Sequence, residues 1–174
     1  MSEDIVPRLF VELFQSEQSA KEHPRVEAER LGDVPPGRAM RAVHEHATRE
    51  LARLRDLAAQ EGLQTTSPGV VLGELFSTVR DAVADRVIDR EKSYRGTLLG
   101  MHHGVDLVLL LRSAASAAGR HSVAAFCDAW LAERRPLVDD VEAALSWFGA
   151  NPEVAAQRTH SALASAPAPA EGRR

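Results

Sequence analysis

Glu17 and Glu133 fall where the helical pattern of this chain calls for apolar side chains. A carboxylate in that position needs a proton, a cation or a metal to offset its lost hydration. In the first predicted helix the stripe runs Val6, Phe10, Leu13, Ala20, Ala28 and Leu31, and Glu17 shares it. In the last it runs Phe126, Trp130, Leu137, Val141, Ala144 and Phe148, and Glu133 shares it. On the second helix His44 lies with Met40, Val43, Ala47, Leu51 and Leu54, while Glu45 and His46 lie off that stripe. The run Gly100-Met101-His102-His103-Gly104-Val105-Asp106 adds His102 and Asp106, spaced to share one helix face. Carboxylates and imidazoles pointing inward at one level hold hard divalent ions such as iron or manganese.

The same residues also fit plainer roles. Glu17 and Glu133 suit the edge of their stripes, or pairing with buried arginines such as Arg112 and Arg134. His44 and His46 suit the rim of a core, and His102, His103 and Asp106 suit a hydrogen-bonded group beside a glycine bend. His23, next to Pro24, reads as a surface or helix-end residue. No Glu-x-x-His motif, phosphate-cradling glycine loop or recognisable nucleophile setting is present. The Asp81, Asp85, Asp89 series is interleaved with Arg80, Arg86 and Arg90 and reads as a solvated, salt-bridged face.

The elements that must position these residues are helical. With 174 residues, 44% hydrophobic, 26% charged and only 5% aromatic, the chain reads as one all-α globular domain. A net charge of −4 without a basic stripe argues against nucleic acid. The single Cys127 excludes an internal disulfide and a cysteine-rich metal site, and its place beside an apolar stripe predicts an inert buried thiol. Glu3 and Asp4 in place of a basic leader, and no long apolar run, predict a cytoplasmic protein that does not enter a membrane.

Five helical segments and no strand are expected. The first spans about 4–31, with Pro24 inside it as a kink or division, and Gly32, Asp33, Pro35 and Pro36 mark the turn into the second, which ends at Gly62. Ser67-Pro68 opens a third towards Arg95; a fourth covers about 97–118, with Gly96 and Gly100 as a break or bend; the fifth covers 121–148, bent by Pro136. Residues 1–149 form the bundle, and 150–174 read as a short helix or a disordered alanine- and proline-rich tail. The Leu107–Leu111 stretch is apolar nearly all round, as in the middle of a bundle or at a subunit interface.

Three blocks carry a resemblance to a known family: Leu13-Phe14-Gln15-Ser16-Glu17-Gln18 with Pro24 downstream, the helix from His44 to Gly62, and the stretch from Gly96-Thr97-Leu98 to Leu131-Ala132-Glu133-Arg134. Over roughly residues 9–148 their pattern and order resemble the bacterial stress-associated ferritin-like family of YciF type. The resemblance implies an up-and-down four-helix ferritin-like bundle with an extra helical segment, often a homodimer, with a di-metal centre and a stress-related role. Two of the family's glutamate positions fall on Met101 and Gly104, leaving His102; another falls near His46, and one of two adjacent glutamates becomes Arg134. Glu17 and Glu133 carry over. Two readings follow: a protein binding iron or manganese through Glu17, His44 or His46, His102, Asp106 and Glu133, or a metal-free bundle that works through oligomerisation or a protein partner.

Overall fold

The computed structural model describes residues 4–66 and 87–160, and these are almost entirely helical. Four long helices, α1 (Val6–Leu31), α2 (Pro35–Glu61), α3 (Arg90–Ala117) and α4 (His121–Ala143), precede two short ones, α5 (Leu145–Ala150) and α6 (Pro152–Ala155). Most of the expected third segment, 67–86, and the tail 161–174 lie outside the described residues. Among the described residues no helix is long and apolar enough to cross a membrane.

Each long helix buries a seam of alternating three- and four-residue steps. On α2 the seam is Met40, Val43, Ala47, Glu50, Leu54 and Leu57; on α3 it is Tyr94, Thr97, Met101, Gly104, Val108, Leu111 and Ala115. Helix α1 packs on α2 and α3, and α4 packs on α2 and α3. Glu27 meets Ser93 while Glu12 meets His103, so α1 and α3 are antiparallel. Glu61 approaches Arg120 while Arg49 meets Glu133, so α2 and α4 are antiparallel. The short links between α1 and α2, and between α3 and α4, reverse direction as well. Helices α2 and α3 therefore run the same way, unlike a simple up-and-down order.

The core has two apolar clusters. One gathers Phe10, Leu13, Leu54, Leu111 and Trp130; the other gathers Met40, Val43, Tyr94, Val141 and Phe148. Glu17, His46, Glu50 and Arg134 lie along their helices between the two clusters, forming a buried polar layer. Cys127 is fully buried in the first cluster, and burial pushes its thiol up to about 12, which makes it inert.

Several local expectations change. Helix α1 runs through Pro24 unbroken, with that residue buried on the side that faces α3, where it lines a small cavity with Gly96, Thr97 and Gly100. Helix α3 runs through Gly96 and Gly100 as one helix, so of the break or bend allowed there the break does not occur. The last segment divides after Ala143 rather than continuing to Phe148. A short antiparallel pair also forms, β1 (Val87–Asp89) with β2 (Arg158–His160), where no strand is expected. Arg158 binds Asp89 at 3.1 Å, and Arg30 of α1 donates to the His160 carbonyl at 2.6 Å, so tertiary contacts hold these strands. Asp89 also pairs with Lys92 at 3.0 Å, whereas Asp81 and Asp85 lie outside the described residues.

Two glycines test this packing in opposite directions. A Cβ at Gly37 would stand 2.1 Å from the Gly32 carbonyl oxygen, whereas a Cβ at Gly100 would meet nothing within 4 Å. Gly37→Ala should therefore lower unfolding stability by about 1–3 kcal/mol or more. Gly100→Ala should raise it by about 0.5–1 kcal/mol. Chemical denaturation of both variants checks the pair.

Candidate metal centre

The polar layer is built from three helices. Glu17 comes from α1, His46 and Glu50 from α2, and Trp130, Glu133 and Arg134 from α4. On α3 the corresponding place belongs to Gly104, whose missing side chain leaves room for Ser16 and the Trp130 indole; a Cβ there would lie 3.3 Å from Ser16 Oγ and 3.9 Å from Trp130 Cη2.

At the centre Arg134 Nη2 donates to Glu17 Oε2 at 2.6 Å, and both side chains are only 1% exposed. Burial raises the Glu17 carboxyl above its ordinary range, and the Arg134 guanidinium pulls against that rise. Arginine keeps its proton in proteins, so Arg134 acts as a fixed internal cation with Glu17 as its counter-ion. Its guanidinium also lies 4.8 Å from the centroid of the Trp130 ring, a cation–π contact out of water.

One helical turn apart on α2, His46 and Glu50 face the same layer. His46 is 1% exposed and neither ring nitrogen makes a hydrogen bond; Nε2 lies 3.7 Å from Glu133 Oε2. Burial, followed by the Arg134, Arg49 and Arg53 charges, pushes this imidazole down to about 3. It is neutral at ordinary pH, with a lone pair free to ligate. Glu50 is fully buried; Oε1 accepts from Arg53 at 2.9 Å, and Oε2 has no hydrogen-bond partner. Burial raises its carboxyl, with Arg53 opposing the rise and Glu133 adding to it. Glu133 is 46% exposed and forms the mouth, taking a 3.3 Å contact from Arg49.

Among the described residues His46, Glu50 and Glu133 each present a ligand atom within 4.8 Å of the others, a group that can hold a metal ion. One imidazole and two carboxylates suit a hard or borderline divalent ion. The unprotonated ring nitrogen of His46 and the free Glu50 oxygen fit such an ion, since both are buried acceptors without a hydrogen-bond partner.

Of the expected ligands, the fold brings His46 and Glu133 into this group and sets Glu17 beside it, on Arg134. His44 does not join them: its Nδ1 lies 2.8 Å from the Lys21 carbonyl, a contact across the α1–α2 seam. His102 Nε2 instead meets Glu142 on α4 at 3.0 Å, half-exposed, and Asp106 is exposed. Arg112 pairs with Asp128 on the surface, so Arg134 alone of the two suggested arginines neutralises a buried glutamate. His23 is buried rather than on the surface, and burial pushes its imidazole down to about 4.

Sequence reasoning missed Glu50, Arg53 and the buried Glu27. Glu50 was legible, standing seven residues after Val43 and three after Ala47 on the seam, and four after His46. Glu27 accepts a hydrogen bond from Ser93 across the α1–α3 seam. Comparison of the chain with protein-family models, with curated proteins and with solved structures finds no match.

The ion pair makes a definite demand on stability. Arg134→Met should cost about 3–5 kcal/mol by stranding the Glu17 carboxylate. Glu17→Leu combined with Arg134→Met should recover most of that loss. Urea unfolding of the single and double variants measures the difference.

Proposed function

We propose that the protein is a ferritin-like helical bundle that binds a single iron or manganese ion on His46, Glu50 and Glu133. The observation that carries this reading is His46, a neutral imidazole buried without a hydrogen bond and aimed among two carboxylates. The ferritin-like assignment draws support from helix order. Antiparallel α1–α2 and α3–α4 pairs, with α2 and α3 running the same way, are the helix directions of a ferritin-like bundle.

The residues divide the work. His46 and Glu50 supply inner ligands on a rigid helix, and exposed Glu133 receives the ion from solvent. Glu17 and Arg134 neutralise each other and so leave the other two carboxylates to balance one divalent charge. Such an ion would supply Lewis acidity or one-electron redox chemistry, with coordination positions open to a small molecule. A stress-related role, which the family resemblance implies, suits a site of that kind.

A second reading, the homodimer or protein-partner module, has its own observation. Leu99 and Leu110 are 65% and 50% exposed on α3, and about three turns separate them, so they share one face. If that face self-associates, Leu99→Glu with Leu110→Glu should convert a dimer to a monomer in sedimentation velocity; an unchanged state would remove the case.

For the metal reading, protein purified without an affinity tag and loaded anaerobically with ferrous iron or manganese should retain one equivalent by elemental mass spectrometry. His46→Ala and Glu50→Gln should each abolish retention with helical circular dichroism preserved. No retained metal in the wild-type and Arg53→Gln chains under either loading would overturn the reading.

A further inference from the structure

The cations around the candidate centre are of two kinds. Arg134 is buried and committed to Glu17 at 2.6 Å. Arg53 and Arg49 reach in from the rim, with side chains 44% and 60% exposed. Their contacts fall on the carboxylates assigned to the metal. Arg53 Nη1 lies 2.9 Å from Glu50 Oε1 and 3.6 Å from Glu133 Oε1, so one guanidinium nitrogen bridges both acids. Arg49 Nη2 holds the other Glu133 oxygen, Oε2, at 3.3 Å.

We infer that Arg53 is the resident cation of this site, neutralising Glu50 and Glu133 in the metal-free chain and leaving outward when a divalent ion takes the two carboxylates. The inference rests on the metal-binding reading and adds what sets the affinity. Two carboxylates and a neutral imidazole carry a charge that one divalent ion balances. A guanidinium that bridges the two acids opposes a metal held by the same two carboxylates, because the two positive charges repel at such short range and draw on the same two negative charges. Arg53 can leave at small cost. It stands one turn from Glu50 at the surface, its guanidinium already lies 5.4 Å from the Phe126 ring centroid, and solvent reaches its side chain. Arg134 has no such exit.

Without Arg53 the two acids face each other with Arg49 alone at the rim. In the presence of metal that loss removes a competitor, and in its absence it exposes the repulsion between Glu50 and Glu133. The two effects have opposite signs, which separates competition from simple structural support. A residue that merely props the site would weaken metal binding when removed.

The test is a Mn2+ titration of the full chain, following free Mn2+ by electron paramagnetic resonance, in wild type, Arg53→Gln and Arg55→Gln. Arg55 stacks on Phe14 at 5.5 Å and serves as the surface control. Arg53→Gln should bind Mn2+ about twofold to fivefold more tightly, the scale of a partly exposed charge pair, and Arg55→Gln should match wild type. In metal-free buffer Arg53→Gln should melt below wild type, and saturating Mn2+ should raise its melting temperature by more. Binding in Arg53→Gln alone would show that the arginine closes the site. Equal or weaker binding in Arg53→Gln, with wild type still binding, would overturn the role of Arg53 and leave the metal site standing. No binding by either protein would overturn the metal reading itself, and this inference with it.

Discussion

The buried contact between Arg134 and Glu17 joins the first and last long helices through the middle of the core, and the packing around it follows from one constraint. Neither charge can be left without the other in a medium of low polarity. The two apolar clusters accordingly stop short of this level, and the residues that border it are those able to meet a guanidinium: a carboxylate below, an indole face alongside, and a glycine on α3 that makes room for the indole. Hydrophobic residues of similar volume would hold such a core nearly as firmly, so the pair is better understood through what it does to its neighbours.

Its effect on them is electrostatic. Burial, reinforced by the permanent positive charge at Arg134, holds His46 neutral, and Arg134 compensates Glu17, so that carboxylate is committed. What remains is one unprotonated imidazole and two carboxylates, one buried and one at the rim, with surface arginines closing over them. The layer is thus asymmetric. Its inner half is a paired cation and anion, Arg134 on Glu17, although Arg134 Nε and Trp130 Nε1 make no hydrogen bond. Its outer half has no fixed internal cation and leaves both His46 nitrogens and one Glu50 oxygen without hydrogen bonds. Unsatisfied acceptors of that kind cost stability, and an incoming cation would relieve that part of the cost. This asymmetry favours a single ion over a pair, because a second would have to stand beside the fixed guanidinium.

Much of the fold could be read from spacing, and the errors have physical causes. Glu17 on the α1 stripe, the glycine-marked ends of α1 and α2, and the short helix after Asn151 all follow from local rules of periodicity and capping. Position 44 looked inward because Met40, Ala47, Leu51 and Leu54 draw the apolar arc towards it. The buried arc of α2 in fact extends the other way, through Val43, Glu50 and Leu57 to His46, since α4 packs on that side. Glu133 and Arg134 present the same difficulty on α4. Both adjoin the apolar seam, and the arginine is the one fully enclosed. Gly96 and Gly100 suggested a break or a bend because glycine weakens an isolated helix, and packing along α1 carries α3 through them as one helix.

The amino-acid sequence by itself determined the helices, their apolar faces and the presence of a charge problem inside the core, because these depend on neighbours within a turn or two along the chain. Only the tertiary structure decided which charged residue is buried, which partner answers it and which three side chains converge. Those outcomes depend on the rotation of each helix against the next, a few tens of degrees that periodicity alone leaves free. The pairing of Glu17 with Arg134 and the convergence of His46, Glu50 and Glu133 are both settled by that rotation.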